Sequence, residues 1–184
     1  MNNILEAILA NDNQPALKEM QRTFDLSEDQ TRAAVKELIP ALSRGLQKNT
    51  QDAQGMDALL EALRTGEHEK YMEKPDLLGQ ASTTRDGNDI LGHIFGDKKV
   101  SREVASRASQ KSGVSSVLLK KMLPVLATVV MGSLSKKMLG SNSRGSARTA
   151  QSGSGGLLGA FLDSDRDGSI WDDVLGMAAR SMLK

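Results

Sequence analysis

VSSVLLKKMLPVLATVVMGSLSKKML, residues 114–139, is the longest apolar stretch of the chain, and its reading decides the fold. Lysine pairs flank its most apolar part, Pro124 lies inside it, and from Met122 to Leu134 it carries no charge. That uncharged run is shorter than the ~20 mainly apolar residues a spanning helix needs, and Pro124, Thr128, Gly132 and Ser133 interrupt it. The expectation is therefore a buried core helix and no transmembrane span. Helices around it should supply the burial.

The remaining composition agrees with a helical protein. Leu, Ala and Met are abundant, and aromatic residues make up only 3 % of the 184 residues. Helix formers with little alternation of β-branched residues favour an all-α chain. With no cysteine, a disulfide framework and a thiolate metal site are both excluded. The opening MNNILEAILANDNQPALKEM has neither a basic leader nor a long apolar core, so it does not read as a signal peptide, and a cytoplasmic location is expected.

Outward from the core stretch, the helices follow from punctuation and periodicity. Asn3–Ala10 reads as a short apolar helix, and Pro15 suits the first turn of the next, ALKEMQRTF. Ser27 is an N-cap, with Glu28 and Asp29 complementing the helix dipole. Val35, Leu38, Ile39 and Leu42 then share one face, and Pro40 should kink this helix or end it near Ile39; Gly45 and Asn49 mark its end. Gln51–Arg64 forms another amphipathic helix through Met56, Leu59, Leu60 and Leu63. One helical turn and an LLG turn after Pro75 follow. STTRDGN, residues 82–88, is polar and rich in turn formers and reads as the boundary between two halves.

The second half repeats the first in outline. DILGHIFGD at 89–97 parallels NILEAILAN at 3–11, and Met-Leu-Pro-Val-Leu around Pro124 parallels Leu-Ile-Pro-Ala-Leu around Pro40. An internal repeat is the natural reading, with Ser115 as the second N-cap. The expected architecture is all-α: two related multi-helix units with Pro-kinked core helices, over 1–81 and 82–140. A flexible Gly/Ser linker (141–156) and a short C-terminal helical tail (157–184) follow.

The most specific chemical signal is DSDRDGSIWDD, residues 163–173. Asp163, Asp165 and Asp167 alternate and Gly168 follows, as in the first half of an EF-hand loop, where carboxylates converge on a hard cation. Ser169 offers its backbone carbonyl. The twelfth position, normally a bidentate Glu, is Val174, so a shortened loop would use Asp173. Calcium is the cation expected, since the carboxylate donors argue against zinc. The alternative is a polar Asp-Gly turn with solvated acids.

Charge is unevenly spread. Residues 1–90 hold ten Lys/Arg against sixteen Asp/Glu, while 104–162 hold eight Lys/Arg and no acid. Such asymmetry is compatible with nucleic-acid contact through the basic 98–148 region and the helix-turn-helix-like segments at 19–38 and 104–122. Acids at the start of the first copy repel phosphate, so helical hairpins and a protein partner or self-association are the preferred expectation. His68, in an acidic run expected to be exposed, and His93, expected in a core or boundary position, lie near no Ser or Cys nucleophile motif. No P-loop or dinucleotide fingerprint occurs, and no enzymatic activity is expected.

The ILG and LLG turns, MLPVLATVVMGSL and LLGAFLDSDRDGSIWDDVLGMA together resemble an uncharacterised bacterial family, domain of unknown function 937. The resemblance covers nearly the whole chain, although the first half holds fewer glycines than is usual there. It implies a bacterial source and an α-helical fold similar to the YidB-like helical domains. It implies no activity, substrate or catalytic residue.

Overall fold

The computed structural model describes residues 3–51 and 53–140; the linker and tail expected at 141–184, with the DSDRDGSIWDD loop, lie outside the described residues. The described chain forms eight α-helices and no strand. They are α1 (Asn3–Leu9), α2 (Gln14–Phe24), α3 (Glu28–Asn49), α4 (Ala53–Thr65), α5 (Lys70–Glu73), α6 (Ala81–Phe95), α7 (Lys98–Ser112) and α8 (Ser116–Gly140). Short 3-10 turns at Asn11–Asn13 and Pro75–Gly79 join α1 to α2 and α5 to α6.

The apolar stretch at 114–139 becomes the axis of the molecule. Every residue of α8 from Met122 to Ser135 is buried, and Lys121 and Lys136 mark the exposed limits of that run. A helix apolar on all sides must be wrapped on all sides. α8 packs most extensively on α6 and then α7, and it also touches α1, α2, α3, α4 and α5. Elements from both halves of the sequence thus close on one helix. By length and composition Ser116–Lys137 would suffice to cross a membrane, and 78 % of its most apolar window is buried within the fold. Each fully buried Leu or Val there contributes ~1.5–3 kcal/mol of transfer free energy.

Polar atoms in this apolar helix are matched. Thr128 Oγ1 donates to the Val125 carbonyl at 2.7 Å, and Ser135 Oγ donates to the Leu63 carbonyl of α4 at 3.2 Å. Ser133 Oγ donates to Asn13 Oδ1 at 3.4 Å, reaching the turn between α1 and α2. The last two bonds tie the C-terminal half of α8 to the first part of the chain.

The turns α2–α3 and α7–α8 are built alike. Asp25 (φ 51°) and Gly113 (φ 71°) end α2 and α7 in the left-handed region. An apolar residue follows each, Leu26 and Val114, and then a serine N-cap. Ser27 forms a full capping box with Gln30, and Ser115 Oγ accepts the Leu118 N–H at 3.3 Å.

Three expectations are corrected. Pro40 neither ends α3 nor limits it to Ile39; the helix runs on to Asn49, as α8 runs through Pro124. Each proline removes the i+4 donor of one carbonyl, that of Lys36 or Lys120, and both belong to exposed residues where water can replace it. Burial of Leu38, Ile39, Leu42 and Leu46 on both sides of Pro40 offsets the local cost. Gly45 lies within α3, where Ile94 and Phe95 approach so closely that a Cβ would overlap the Ile94 side chain. STTRDGN is not a turn but the first half of α6. Thr83 is fully buried with its hydroxyl on the Leu77 carbonyl, and Gly87 packs against the backbone of Pro124.

Candidate functional site

A groove of about 980 Å³ lies between the second half of α3, the end of α6 and α7. Its floor is apolar: Ala41, Ile94, Phe95, Val100, Val104 and Ala108. Val100 is 39 % exposed, one of two large apolar side chains left this open among the described residues. The rim is basic, with Arg44 and Lys48 from α3 facing Arg107 and Lys111 from α7, and His93 at one end.

Glu37 is the acid that lines it, 3.9 Å from Lys111 Nζ. Arg107 pairs with Glu103 one turn away on α7, and both are largely exposed. Arg44 donates from Nε to the Pro40 carbonyl at 3.2 Å. Exposed pairs of this kind are worth ~0–1 kcal/mol, so the rim stays available to an incoming anion.

The end of the groove is fixed by Asn49. Its Nδ2 donates to the carbonyls of His93 and Ile94, both at 2.8 Å, and to Gly45 at 3.0 Å. The final carbonyls of a helix have no partner within it. Asn49 therefore supplies α6 with donors from a residue distant in sequence and holds α3 and α6 at a set spacing. No sequence signal marks this pairing, because Asn49 reads locally as a helix end.

A second groove, of about 380 Å³, lies beside the start of α8, with Lys120 and Lys121 near Thr23, Phe24, Thr84 and Asn88. The Ser115–Val117 and Lys120–Lys121 positions of the helix-turn-helix-like segment are exposed. From Met122 to Ser135 the same helix is core, so about one and a half turns at its start face solvent.

A third cluster surrounds His68. Contrary to the exposed position expected of it, His68 is buried, at 8 % exposure, and Nδ1 has no hydrogen-bond partner. Burial lowers its pKa; the Asp86 carboxylate opposes this and Lys70 adds to it. Tyr71 donates its hydroxyl to Asp86, and Lys70 Nζ lies 3.7 Å from the same carboxylate. Burial, then the hydrogen bond to and charge of Asp86, push the Tyr71 phenol up to about 12. The His68 carbonyl and the Met72 side chain cover Gly132 of α8, where a Cβ would stand 2.7 Å from that carbonyl. The cluster fastens α5 and α6 over the central helix. His93, expected in a core or boundary position, is exposed at the groove instead.

Asp163, Asp165, Asp167, Ser169 and Asp173 lie outside the described residues, and among the described ones no three His, Asp or Glu side chains converge as a metal site. The family described as bacterial protein of unknown function (DUF937) matches residues 6–137, from α1 to the last turns of α8. The chain belongs to DUF937. No curated protein and no solved structure matches it. The matched DUF937 region contains all three features: the basic groove, the Lys120–Lys121 groove and the His68 cluster.

Proposed function

We propose that this DUF937 protein is a non-enzymatic interaction module that holds an acidic, partly apolar polypeptide segment in the groove between α3 and α7. The observation that carries the reading is the groove's chemistry: an apolar floor containing Val100, with Arg44, Lys48, Arg107 and Lys111 around it and Glu37 as the acid lining it. An apolar floor supplies affinity, and the charged rim selects partner and orientation. His68, Tyr71 and Asp86 are engaged with neighbouring elements, and that arrangement supports a structural role for them.

Two further parts of the reading rest on the sequence. DSDRDGS with Asp173 is proposed as a calcium loop using Asp163, Asp165, Asp167, the Ser169 carbonyl and Asp173. The like-built α2–α3 and α7–α8 turns support an internal duplication.

A photo-reactive amino acid placed at Val100 tests the groove. Irradiation in living cells should join it to polypeptide, with the joined peptide identified by mass spectrometry. A yield no higher than from Arg32, exposed on the first half of α3, would sink the proposal.

A further inference from the structure

We propose that the occupant of the α3–α7 groove is the chain's own C-terminal segment, residues 157–184. This deepens the interaction-groove reading and rests on it. The groove's charge complements the composition of the residues that follow α8.

Residues 163–173 hold five Asp and one Arg, a net charge of −4. Apolar runs bracket them, LLGAFL at 157–162 and VLGMAA at 174–179. The groove offers the complement: four cations on its rim, and Ile94, Phe95, Val100 and Val104 on its floor. The smaller groove beside α8 offers two lysines and less than half the volume. Arg107 and Lys111 of the acid-poor region 104–162, together with Arg44 and Lys48 of α3, thus meet the acidic 163–173 as rim and occupant.

Reach does not limit the arrangement. Residues 141–156 separate α8 from the segment. Sixteen residues span at most ~53–58 Å, whereas a body of this size has a radius of gyration of ~14 Å. A tether of such length sets an effective concentration on the order of millimolar. Contacts too weak to hold a separate peptide therefore hold a tethered one. Tethering also makes the segment a competitor that an external acidic partner must displace, so the groove is self-occupied until a stronger ligand arrives.

The test uses the full-length protein, as a dilute equal mixture of ¹⁴N- and ¹⁵N-labelled chains treated with a carbodiimide, which joins carboxylates to lysine amines. Amide links from Lys48 or Lys111 to the Asp residues of 163–173, within single-isotope pairs, are expected. Arg44→Glu with Arg107→Glu keeps both amines while reversing the charge beside them, and should lower the yield several-fold. Both arginines are exposed, and an unchanged urea midpoint checks that the variant folds. Trp171, the chain's single tryptophan, should shift its emission to longer wavelength in the variant and in high salt.

Mixed-isotope pairs would overturn the proposal in favour of a second copy's tail. Links spread evenly over Lys18, Lys98, Lys120 and Lys136 would overturn it too. In both cases cross-linking from Val100 still reports whether the groove binds polypeptide, so the two readings fail separately.

Discussion

Gly87 of α6 packs on the backbone of Pro124 in α8, so closely that a Cβ at position 87 would overlap the proline carbonyl. The contact lies in the most extensive helix pairing among the described residues, where the central helix carries a proline and its neighbour a residue with no side chain. Gly87→Ala should destabilise the protein by ~1–3 kcal/mol, because backbone has to move to admit the methyl group. Gly92, in the same helix, has open space at its Cβ position. Gly92→Ala should instead stabilise by ~0.4–1 kcal/mol through helix propensity and unfolded-state entropy. Urea unfolding midpoints of the two variants should move in opposite directions, and a shared sign would refute the contact.

That same glycine shows what one sequence can and cannot reveal. Ser27, Gly113 and Ser115 are legible because caps and left-handed turns depend on neighbouring residues alone. The central helix is legible because unbroken apolarity demands burial. Gly87 and Gly45 mislead, since a glycine kept for a close helix contact looks the same as one kept for a turn; the partners, Pro124 and Ile94, are remote in sequence. His68 misleads likewise. Its acidic neighbours indicate solvent, yet the residue is buried with its ring against Gly66. The groove is illegible for a related reason: Arg44, Lys48, Arg107 and Lys111 lie on two helices that become adjacent only after folding.

Asn49 gives a second test of long-range pairing. Asn49→Ala removes the donors that serve the His93 and Ile94 carbonyls at the end of α6. The expected loss is ~0.5–1.5 kcal/mol, the net scale of a hydrogen bond whose acceptors water can partly reach. Hydrogen exchange should speed up most in the last turn of α6 and around the Gly96 turn. A uniform change across all helices would indicate global destabilisation without the specific tie.

His68 makes stability depend on pH. Burial holds its folded pKa below the ordinary value of 6.5, so below that value the unfolded chain binds a proton that the folded chain resists. Its effect is absent at neutral pH, and stability declines as pH falls from 6.5 toward the folded pKa. His68→Gln should flatten that part of the profile, whatever its effect on stability at neutral pH. Urea midpoints measured from pH 7.5 to pH 5 on both proteins decide the matter; parallel profiles would remove His68 as the cause.

Calcium should act against the docked tail. The 163–173 segment carries five Asp, and Val174 stands where an EF-hand loop places its bidentate Glu. A loop short of that ligand belongs at the weak end of the calcium range, with a Kd of ~10⁻⁴–10⁻³ M. Binding one Ca²⁺ halves the segment's net charge of −4 and engages the same carboxylates that would face Lys48 and Lys111. Calorimetry on the intact protein should therefore give a weak calcium isotherm that Asp165→Ala with Asp167→Ala abolishes. Calcium should also reduce carbodiimide links between Lys48 or Lys111 and the tail and move Trp171 emission to longer wavelength, an effect that equal ionic strength of NaCl reproduces only in part. Heat without loss of the links would mean that cation and groove use different carboxylates; absence of heat in the intact protein would eliminate the calcium loop while leaving the docked tail to its own test.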